Sequence, residues 1–144
     1  MKNKVSGSCH CGNIKYIIYT DLELYQLPRR KCGCPFCTKH GAVYTSDPKG
    51  ELRIKIKDKN KVSHYRFGTR TADVHICSVC GVEPFFICRI NGKDHAVVNL
   101  NTSVDPVLPT EKYIKTDFNS ETKKERLDRR RKTWISTVVF EDNR

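Results

Sequence analysis

Long apolar runs are missing from this sequence. Residues 1–8 are charged and polar, and no later segment approaches the roughly 20 apolar residues that a membrane-spanning helix needs. The sequence also lacks internal repeats, low-complexity tracts and linkers rich in proline, glycine and serine. These absences predict a single domain over residues 1–144, without signal peptide or membrane span, located in the cytoplasm.

Several common catalytic patterns are absent too. No Ser/His/Asp order, phosphate-binding loop or paired-carboxylate motif stands out. Acidic residues are scarce, with 16 Asp and Glu against 27 Lys and Arg, which gives a formal net charge of +11. Such an excess favours an anionic partner, either a nucleic acid, an acidic protein surface or an acidic small molecule.

Cysteine, by contrast, is plentiful and clustered. Seven of the eight cysteines fall in three groups, which are Cys9 and Cys11, then Cys32, Cys34 and Cys37, then Cys77 and Cys80. In a reducing compartment such clusters are more typical of metal binding or catalysis than of disulfides. Thiolates lie about 2.3 Å from a bound Zn²⁺, so two ligands can come from one short turn. The eighth, Cys88, lies in an apolar run and is predicted to be a small buried hydrophobe.

Keeping each group on one ion predicts how the ligands divide. The two pairs together make a tetrahedral site of four thiolates from Cys9, Cys11, Cys77 and Cys80. The group of three is then left with an open position, whereas the other division would give one ion five thiolates and another only two. Closed four-cysteine sites are structural, and sites with three protein ligands leave room for water or substrate. Seven deprotonated thiols and two Zn²⁺ would lower the formal net charge by three.

The fourth ligand of the Cys32, Cys34 and Cys37 site stays open at this point. Another side chain could complete it, which would make both sites structural. His40, three residues beyond Cys37, is the obvious candidate, although Gly41 indicates a turn that carries it away. His10 is expected to lie at the surface or beside the ligands.

The chain between residues 13 and 100 has the pattern of an antiparallel β protein. Short β-branched and aromatic runs alternate with turn-forming residues. The predicted strands are 14–19, 42–45, 52–56, 62–67, 74–76, 83–88 and 95–99. A charged segment at 123–132 predicts a short C-terminal helix capped near Ser120, and 134–140 predicts a last strand. The predicted fold class is therefore mainly β.

The cysteine pattern resembles that of the glutathione-dependent formaldehyde-activating enzyme family, also called Gfa-like. The segments that carry the resemblance are Cys9-x-Cys11-Gly12, Cys32-x-Cys34-x-x-Cys37 and Cys77-x-x-Cys80-Gly81. Residues 125–131 with Trp134 are similar to the family's closing helix. The resemblance implies a β-tent fold of antiparallel sheets held by a four-cysteine zinc site.

The resemblance also implies a carbon–sulfur lyase-type activity, in which glutathione adds to formaldehyde and forms S-hydroxymethylglutathione. Cys9, Cys11, Cys77 and Cys80 would hold a structural zinc ion, and Cys32, Cys34 and Cys37 would hold the catalytic one. Glutathione carries two carboxylates, so we expect a basic pocket wall, for which Lys39 and Arg70 are candidates.

A different kind of function also fits the sequence. Both zinc ions could be structural, and the basic helix 120–132 could bind nucleic acid or an acidic protein. Residues 123–132 contain seven basic and two acidic side chains. Such a segment is more often a solvated helix face with ion pairs along it, and no aromatic residues are interleaved with it to stack on bases.

Overall fold

The structure is a computed structural model that describes residues 1–141. Within these residues the strands are β1 Asn3–Ser8, β2 Ile14–Thr20, β3 Arg30–Cys32, β4 Tyr44–Thr45, β5 Glu51–Ile56, β6 Val62–Tyr65, β7 Asp73–Cys77, β8 Phe85–Ile90, β9 Lys93–Asn99, β10 Ser103–Asp105, β11 Ile114–Thr116 and β12 Thr137–Glu141. The α-helices are α1 Pro35–His40 and α2 Lys123–Thr133. Short 3₁₀ turns cover Leu24–Gln26, Lys59–Lys61 and Leu100–Thr102. No helix in this part of the chain is long and apolar enough to cross a membrane.

The strands form two sheets. Sheet 1 has the order β10-β1-β2-β5-β12, and sheet 2 has the order β11-β3-β4-β9-β8-β7-β6. Neighbouring strands are antiparallel except for two pairs, β5 with β12 and β3 with β11. The predicted mainly β fold class is confirmed. The predicted antiparallel pairing holds for every pair of neighbouring strands except these two.

Strand β8 explains why sheet 2 has a core on each side. Its residues alternate, so that Phe85 and Ile87 belong to one apolar cluster while Phe86, Cys88 and Ile90 belong to another. Because successive side chains of a strand point to opposite faces, a strand that begins with four consecutive apolar residues must be covered on both faces. Cys88 is completely buried, as the sequence predicts.

The two apolar clusters have different neighbours. The first contains residues of sheet 1, including Val5, Tyr16 and Ile54, and therefore joins the two sheets. The second contains Cys37 from α1 and Trp134 from the end of α2. Its side of sheet 2 is the one that both helices cover.

Several predicted element bounds need correction. The helix begins after Thr122, whose hydroxyl accepts from the Glu125 amide while the Glu125 carboxylate accepts from the Thr122 amide, so the cap is not at Ser120. The last strand starts at Thr137, because Trp134 caps α2 and Ile135 makes a separate bridge to Ala96. The other predicted strands are present with ends shifted by up to two residues.

Four strands and one helix escaped sequence analysis. They are β1, β3, β10, β11 and α1. Three of these strands, β3, β10 and β11, are only three residues long, and β10 and β11 lie at sheet edges. Such short strands are defined by pairing with a neighbouring strand and not by apolar alternation in the sequence.

The close approach of Gly7 to its neighbours yields a stability prediction. A Cβ atom at Gly7 would overlap the Tyr16 hydroxyl and lie 2.6 Å from the Thr102 carbonyl oxygen. Gly7→Ala should therefore lower the free energy of unfolding by about 1–3 kcal/mol, through overpacking. Urea unfolding of the metal-loaded protein measures this, with Ser8→Ala on the same strand as the control. Equal stability of the two variants would contradict the packing of Tyr16 against β1.

Candidate active site and metal centres

The first cysteine cluster joins the two sheets at one end. Cys9 and Cys11 lie in the turn between β1 and β2, and Cys77 and Cys80 lie at and after the end of β7. Both turns close on a glycine with positive φ, 85° at Gly12 and 79° at Gly81, a conformation that glycine adopts without strain. The four sulfur atoms all lie within 4.8 Å of one another.

The geometry of this cluster fits a tetrahedral metal. Four sulfurs about 2.3 Å from one Zn²⁺ would be about 3.8 Å apart. The Cys9 and Cys11 sulfurs are 3.8 Å apart, and the Cys11 and Cys77 sulfurs are 3.5 Å apart. All eight cysteines of the chain are free thiols, so no disulfide competes with this arrangement. The cluster could therefore hold a metal ion, and its donor set is consistent with zinc.

The second cluster is built around the start of α1. Cys32 ends β3, Cys34 is the residue that caps α1, and Cys37 lies in its first turn. The Cys34 sulfur accepts a hydrogen bond from the Cys37 amide at 3.4 Å, which holds two of the three thiols together. The spacing of Cys34 and Cys37 is that of a cap residue and the third helical residue, a signal of α1 that sequence analysis did not use.

The ligands of this second cluster are three thiols. Within residues 1–141, no further histidine, cysteine or acidic group joins the sulfurs of Cys32, Cys34 and Cys37. His40 is the last residue of α1, and its ring packs on Phe36 with a centroid distance of 4.4 Å. The alternative in which His40 completes the site is therefore not supported, and His10 likewise stays outside the first cluster.

The three thiols interact with one another in the absence of a metal. A hydrogen bond from Cys37 lowers the pKa of Cys32 to about 6. The same interaction, together with burial, raises the pKa of Cys37. The cluster thus favours a thiolate beside a thiol, and a soft cation such as zinc is the group that thiolates bind.

A pocket of about 290 Å³ opens beside the second cluster. Cys32, Cys34 and Cys37 line one side of it. Most of the remaining lining is apolar. It comes from sheet 2, from the loops before β7 and before α2, and from the end of α2, namely Tyr44, Phe67, Ala72, Phe86, Val97, Phe118 and Trp134. A concave apolar site with a few converging polar groups is the usual form of a small-molecule site.

The charged part of the pocket wall consists of arginines that sequence analysis did not identify as pocket residues. They are Arg30, Arg126, Arg129 and Arg130. Lys39 and Arg70, the cations expected there, do not line the pocket. The last three arginines and Trp134 stand at positions i, i+3, i+4 and i+8 of α2, a spacing that places them on one face and that the sequence already contains.

These arginines differ in their partners. The Arg129 guanidinium forms two hydrogen bonds to the Glu121 carboxylate, at 2.9 and 3.0 Å, and Arg126 lies 3.5 Å from the same carboxylate. Arg130 donates to Thr71 and lies over the Trp134 ring. Arg30 donates to the Ser46 hydroxyl at 2.8 Å. Neither Arg30 nor Arg130 has an acidic partner in the described part of the chain.

Arg30 therefore carries an uncompensated charge inside the pocket wall. Burial and the nearby charge of Arg129 lower the pKa of its guanidinium. An anion in the pocket would offset both effects, because it would pair with a charge that has been removed from water.

The outward side of α2 is partly paired within the helix itself. Lys124 forms an ion pair with Asp128 at 2.9 Å, and Arg131 lies 3.8 Å from the same carboxylate. Arg126, Arg129 and Arg130 line the pocket, and within residues 1–141 Lys123 and Lys132 are the exposed basic residues of this helix without an ion pair. Binding of nucleic acid or an acidic protein by the helix stays a prediction that none of these contacts favours.

Comparison with known proteins places this cysteine arrangement in a family. The profile of the glutathione-dependent formaldehyde-activating enzyme family matches residues 4–118. The chain belongs to this family. The match includes all seven clustered cysteines and ends before α2, so the likeness of residues 125–131 to the family's closing helix stays a prediction.

A solved structure shares the fold. A Rhodobacter sphaeroides protein of known crystal structure is 28% identical in sequence, with a TM-score of 0.60. The likeness covers 77% of this chain and 99% of that one. The family membership and this likeness agree with the two-sheet architecture described above.

The two clusters should bind metal independently. We expect two zinc ions per chain in the wild type and one in either Cys77→Ser or Cys32→Ser. Cys77→Ser should also lower the free energy of unfolding by more than about 4 kcal/mol, because it removes a metal that joins the two sheets. Elemental analysis and urea unfolding measure these quantities.

Cys88→Ser is the matched control for this experiment, because Cys88 belongs to neither cluster. It should retain both ions. Loss of both ions from Cys32→Ser, or of neither from Cys77→Ser, would contradict two separate sites.

Proposed function

We propose that the chain is a zinc-dependent enzyme of the carbon–sulfur lyase type that adds the thiol of glutathione to formaldehyde. In this proposal Cys32, Cys34 and Cys37 hold the catalytic zinc ion, and Cys9, Cys11, Cys77 and Cys80 hold the structural one. The single observation that supports it most is that a three-thiol cluster, which no fourth ligand among the described residues completes, faces an arginine-lined pocket. Residues 1–144 act as one domain in this proposal.

The three-thiol site suits a thiol substrate. A zinc ion held by three thiolates supplies an open position and a positive charge that lowers the pKa of a bound thiol. The residues of the chain itself supply the surroundings, since Phe86, Phe118 and Trp134 provide apolar walls for the pocket. Formaldehyde is small enough to enter beside a bound thiol without a dedicated subsite.

The pocket wall suits the rest of glutathione. The tripeptide carries two carboxylates, and Arg30 is a partly buried guanidinium that has no acidic partner within residues 1–141. Arg129 lies near it and is held by Glu121 and by the Phe118 ring, 3.6 Å from the guanidinium carbon. A carboxylate bound by Arg30 would fix the substrate so that its thiol reaches the cysteine cluster.

Cytoplasmic location belongs to the same proposal. Glutathione is abundant in reducing compartments, and all eight cysteines of the chain are free. Cell fractionation with an antibody against the native chain would test it.

The activity itself is tested by the rate at which glutathione and formaldehyde exchange with their adduct. Because this reaction also proceeds without enzyme, exchange NMR at equilibrium is preferable to an endpoint assay. Zinc-loaded wild type should accelerate the exchange in proportion to enzyme concentration. Cys34→Ser should abolish the acceleration, since it removes one of the three sulfurs.

The controls separate catalysis from buffering by protein groups. Arg131→Gln, on the outward side of α2, should accelerate the exchange like the wild type. No acceleration by wild type with both zinc ions bound would contradict the proposed function.

A role of Arg30 in glutathione binding leads to a separate prediction. Arg30→Gln should raise KM for glutathione about ten- to a hundredfold, the range for one hydrogen bond to a charged group, and change kcat little. Lys31→Gln is the matched control, because it removes the same charge from the next residue of β3 and does not line the pocket. With cysteamine, a thiol without carboxylates, Arg30→Gln and wild type should have similar KM values. An equal loss with both thiols would contradict carboxylate recognition.

A further inference from the structure

Glu83 is a fully buried carboxyl group that the proposed reaction does not use. It lies between Cys80 and the start of β8 and is only 2% exposed. One of its oxygens, Oε1, has no hydrogen-bond partner within residues 1–141, and no cation lies near enough to compensate a charge there. An ionised carboxylate in such surroundings is costly, whereas a neutral carboxylic acid is not.

The other oxygen of Glu83 connects it to the cysteine cluster through Tyr44. The Tyr44 hydroxyl lies 3.0 Å from Glu83 Oε2 and 3.7 Å from the Cys37 sulfur. Tyr44 is 6% exposed, and its ring is held edge-on against Phe86 at a centroid distance of 5.3 Å. The hydroxyl therefore bridges a buried carboxyl and one thiol of the three-thiol site.

The number of protons on these three groups determines which of them donates each hydrogen bond. With a metal on Cys37, which rests on the proposed function, the sulfur has no proton and can only accept. The phenol has one proton to donate. If the phenol donates its hydrogen bond to the Cys37 sulfur, the hydrogen bond between Tyr44 and Glu83 must be donated by Glu83. Only the neutral acid can donate it.

We propose that Glu83 is a positioning residue that, as a neutral acid, donates a hydrogen bond to Tyr44 and so directs the Tyr44 hydroxyl to the Cys37 sulfur. In this proposal the Tyr44 hydroxyl donates to the Cys37 sulfur in its metal-bound thiolate form. Glu83 touches neither the substrate nor the ion.

Two further observations agree with this assignment. Burial raises the pKa of Glu83 to about 8, so the acid form prevails at neutral pH. Two hydrogen bonds hold the backbone around Glu83. The Cys77 backbone amide donates to the Val82 carbonyl at 3.0 Å, and the Asn99 side-chain amide donates to the Glu83 carbonyl at 3.0 Å. The loop of the four-cysteine cluster thus positions a group that acts on the other cluster.

The bridge affects the chemistry expected at the open site. Three thiolates make a bound metal electron-rich and therefore a weak Lewis acid. A hydrogen bond to one of the sulfurs withdraws part of that charge and fixes the ligand in place, as contacts to metal ligands from surrounding groups generally do. Cys37 is the most buried of the three thiols, at 3% exposed, so its sulfur is the least accessible to water as an alternative hydrogen-bond donor.

Cobalt substitution tests the contact between Tyr44 and Cys37 without any substrate. In full-length protein with Co²⁺ at the three-thiol site, Tyr44→Phe should shift the sulfur-to-cobalt charge-transfer band and weaken Co²⁺ binding about tenfold or more. Tyr16→Phe is the matched control. Tyr16 is also buried, but it belongs to the other apolar cluster and its hydroxyl bonds to Thr102. An unchanged band in Tyr44→Phe would overturn the proposal.

Infrared spectroscopy tests the state of Glu83 in the zinc-loaded protein. The wild type at neutral pH should show the carbonyl stretch of a buried carboxylic acid, which Glu83→Gln removes and Tyr44→Phe shifts. In the cobalt protein, Glu83→Gln should keep the charge-transfer band and the Co²⁺ affinity within about twofold of wild type, because its amide also donates to Tyr44. Absence of the acid band from the wild type would overturn the proposal, and so would a cobalt spectrum changed by Glu83→Gln.

These outcomes are distinct from a failure of the proposed function. A wild type that shows no thiolate-to-cobalt band at Cys32, Cys34 and Cys37 would overturn the metal site and this proposal together. A normal cobalt band without accelerated formaldehyde exchange would remove the enzyme activity and leave the Glu83 bridge standing.

Discussion

Four cysteine sulfurs from two different sheets meet at one end of the molecule, and the rest of the structure depends on this contact. Cys9 and Cys11 come from the first hairpin of sheet 1, while Cys77 and Cys80 come from the end of β7 in sheet 2. A domain of this size has a modest apolar core, and a metal ion bound by these four sulfurs would add stability that does not depend on further apolar contacts. The same contact fixes the loop from which β8 starts, and β8 carries both apolar clusters.

The three-thiol cluster and its pocket lie on the other face of sheet 2, away from sheet 1. There the three thiols, the arginines and the apolar wall converge on one pocket, which α2 closes with the face that bears Arg126, Arg129, Arg130 and Trp134. Glu83 is the physical connection between the two regions, because its backbone belongs to the loop of one cysteine cluster and its side chain reaches the other through Tyr44. In the proposal above, the four-cysteine cluster therefore acts on the three-cysteine cluster through Glu83, Tyr44 and Cys37, which are in contact.

The cysteine spacing was enough to predict the grouping into four and three thiols, because residues one to three apart cannot reach different ions. The strand pattern between residues 13 and 100 was readable for a similar reason, as β-branched runs such as β2 and β8 alternate between two environments. Short edge strands such as β11 carry no such pattern, and their existence depends on a partner distant in sequence. The pocket cations were missed because Arg30 and the arginines of α2 meet only in the folded chain, although the helical spacing of the latter was visible. Glu83 and Tyr44 gave no sequence signal, since their contact spans 39 residues.

The division of labour between the two clusters is the central claim, and cadmium NMR of the fully substituted protein tests it most directly. Cadmium at a four-thiolate site and at a three-thiolate site should give two separate resonances. Added glutathione should move only the resonance that Cys32→Ser abolishes, and leave unchanged the one that Cys77→Ser abolishes. A single resonance, or two that glutathione leaves unchanged, would contradict an open site that accepts an external thiol.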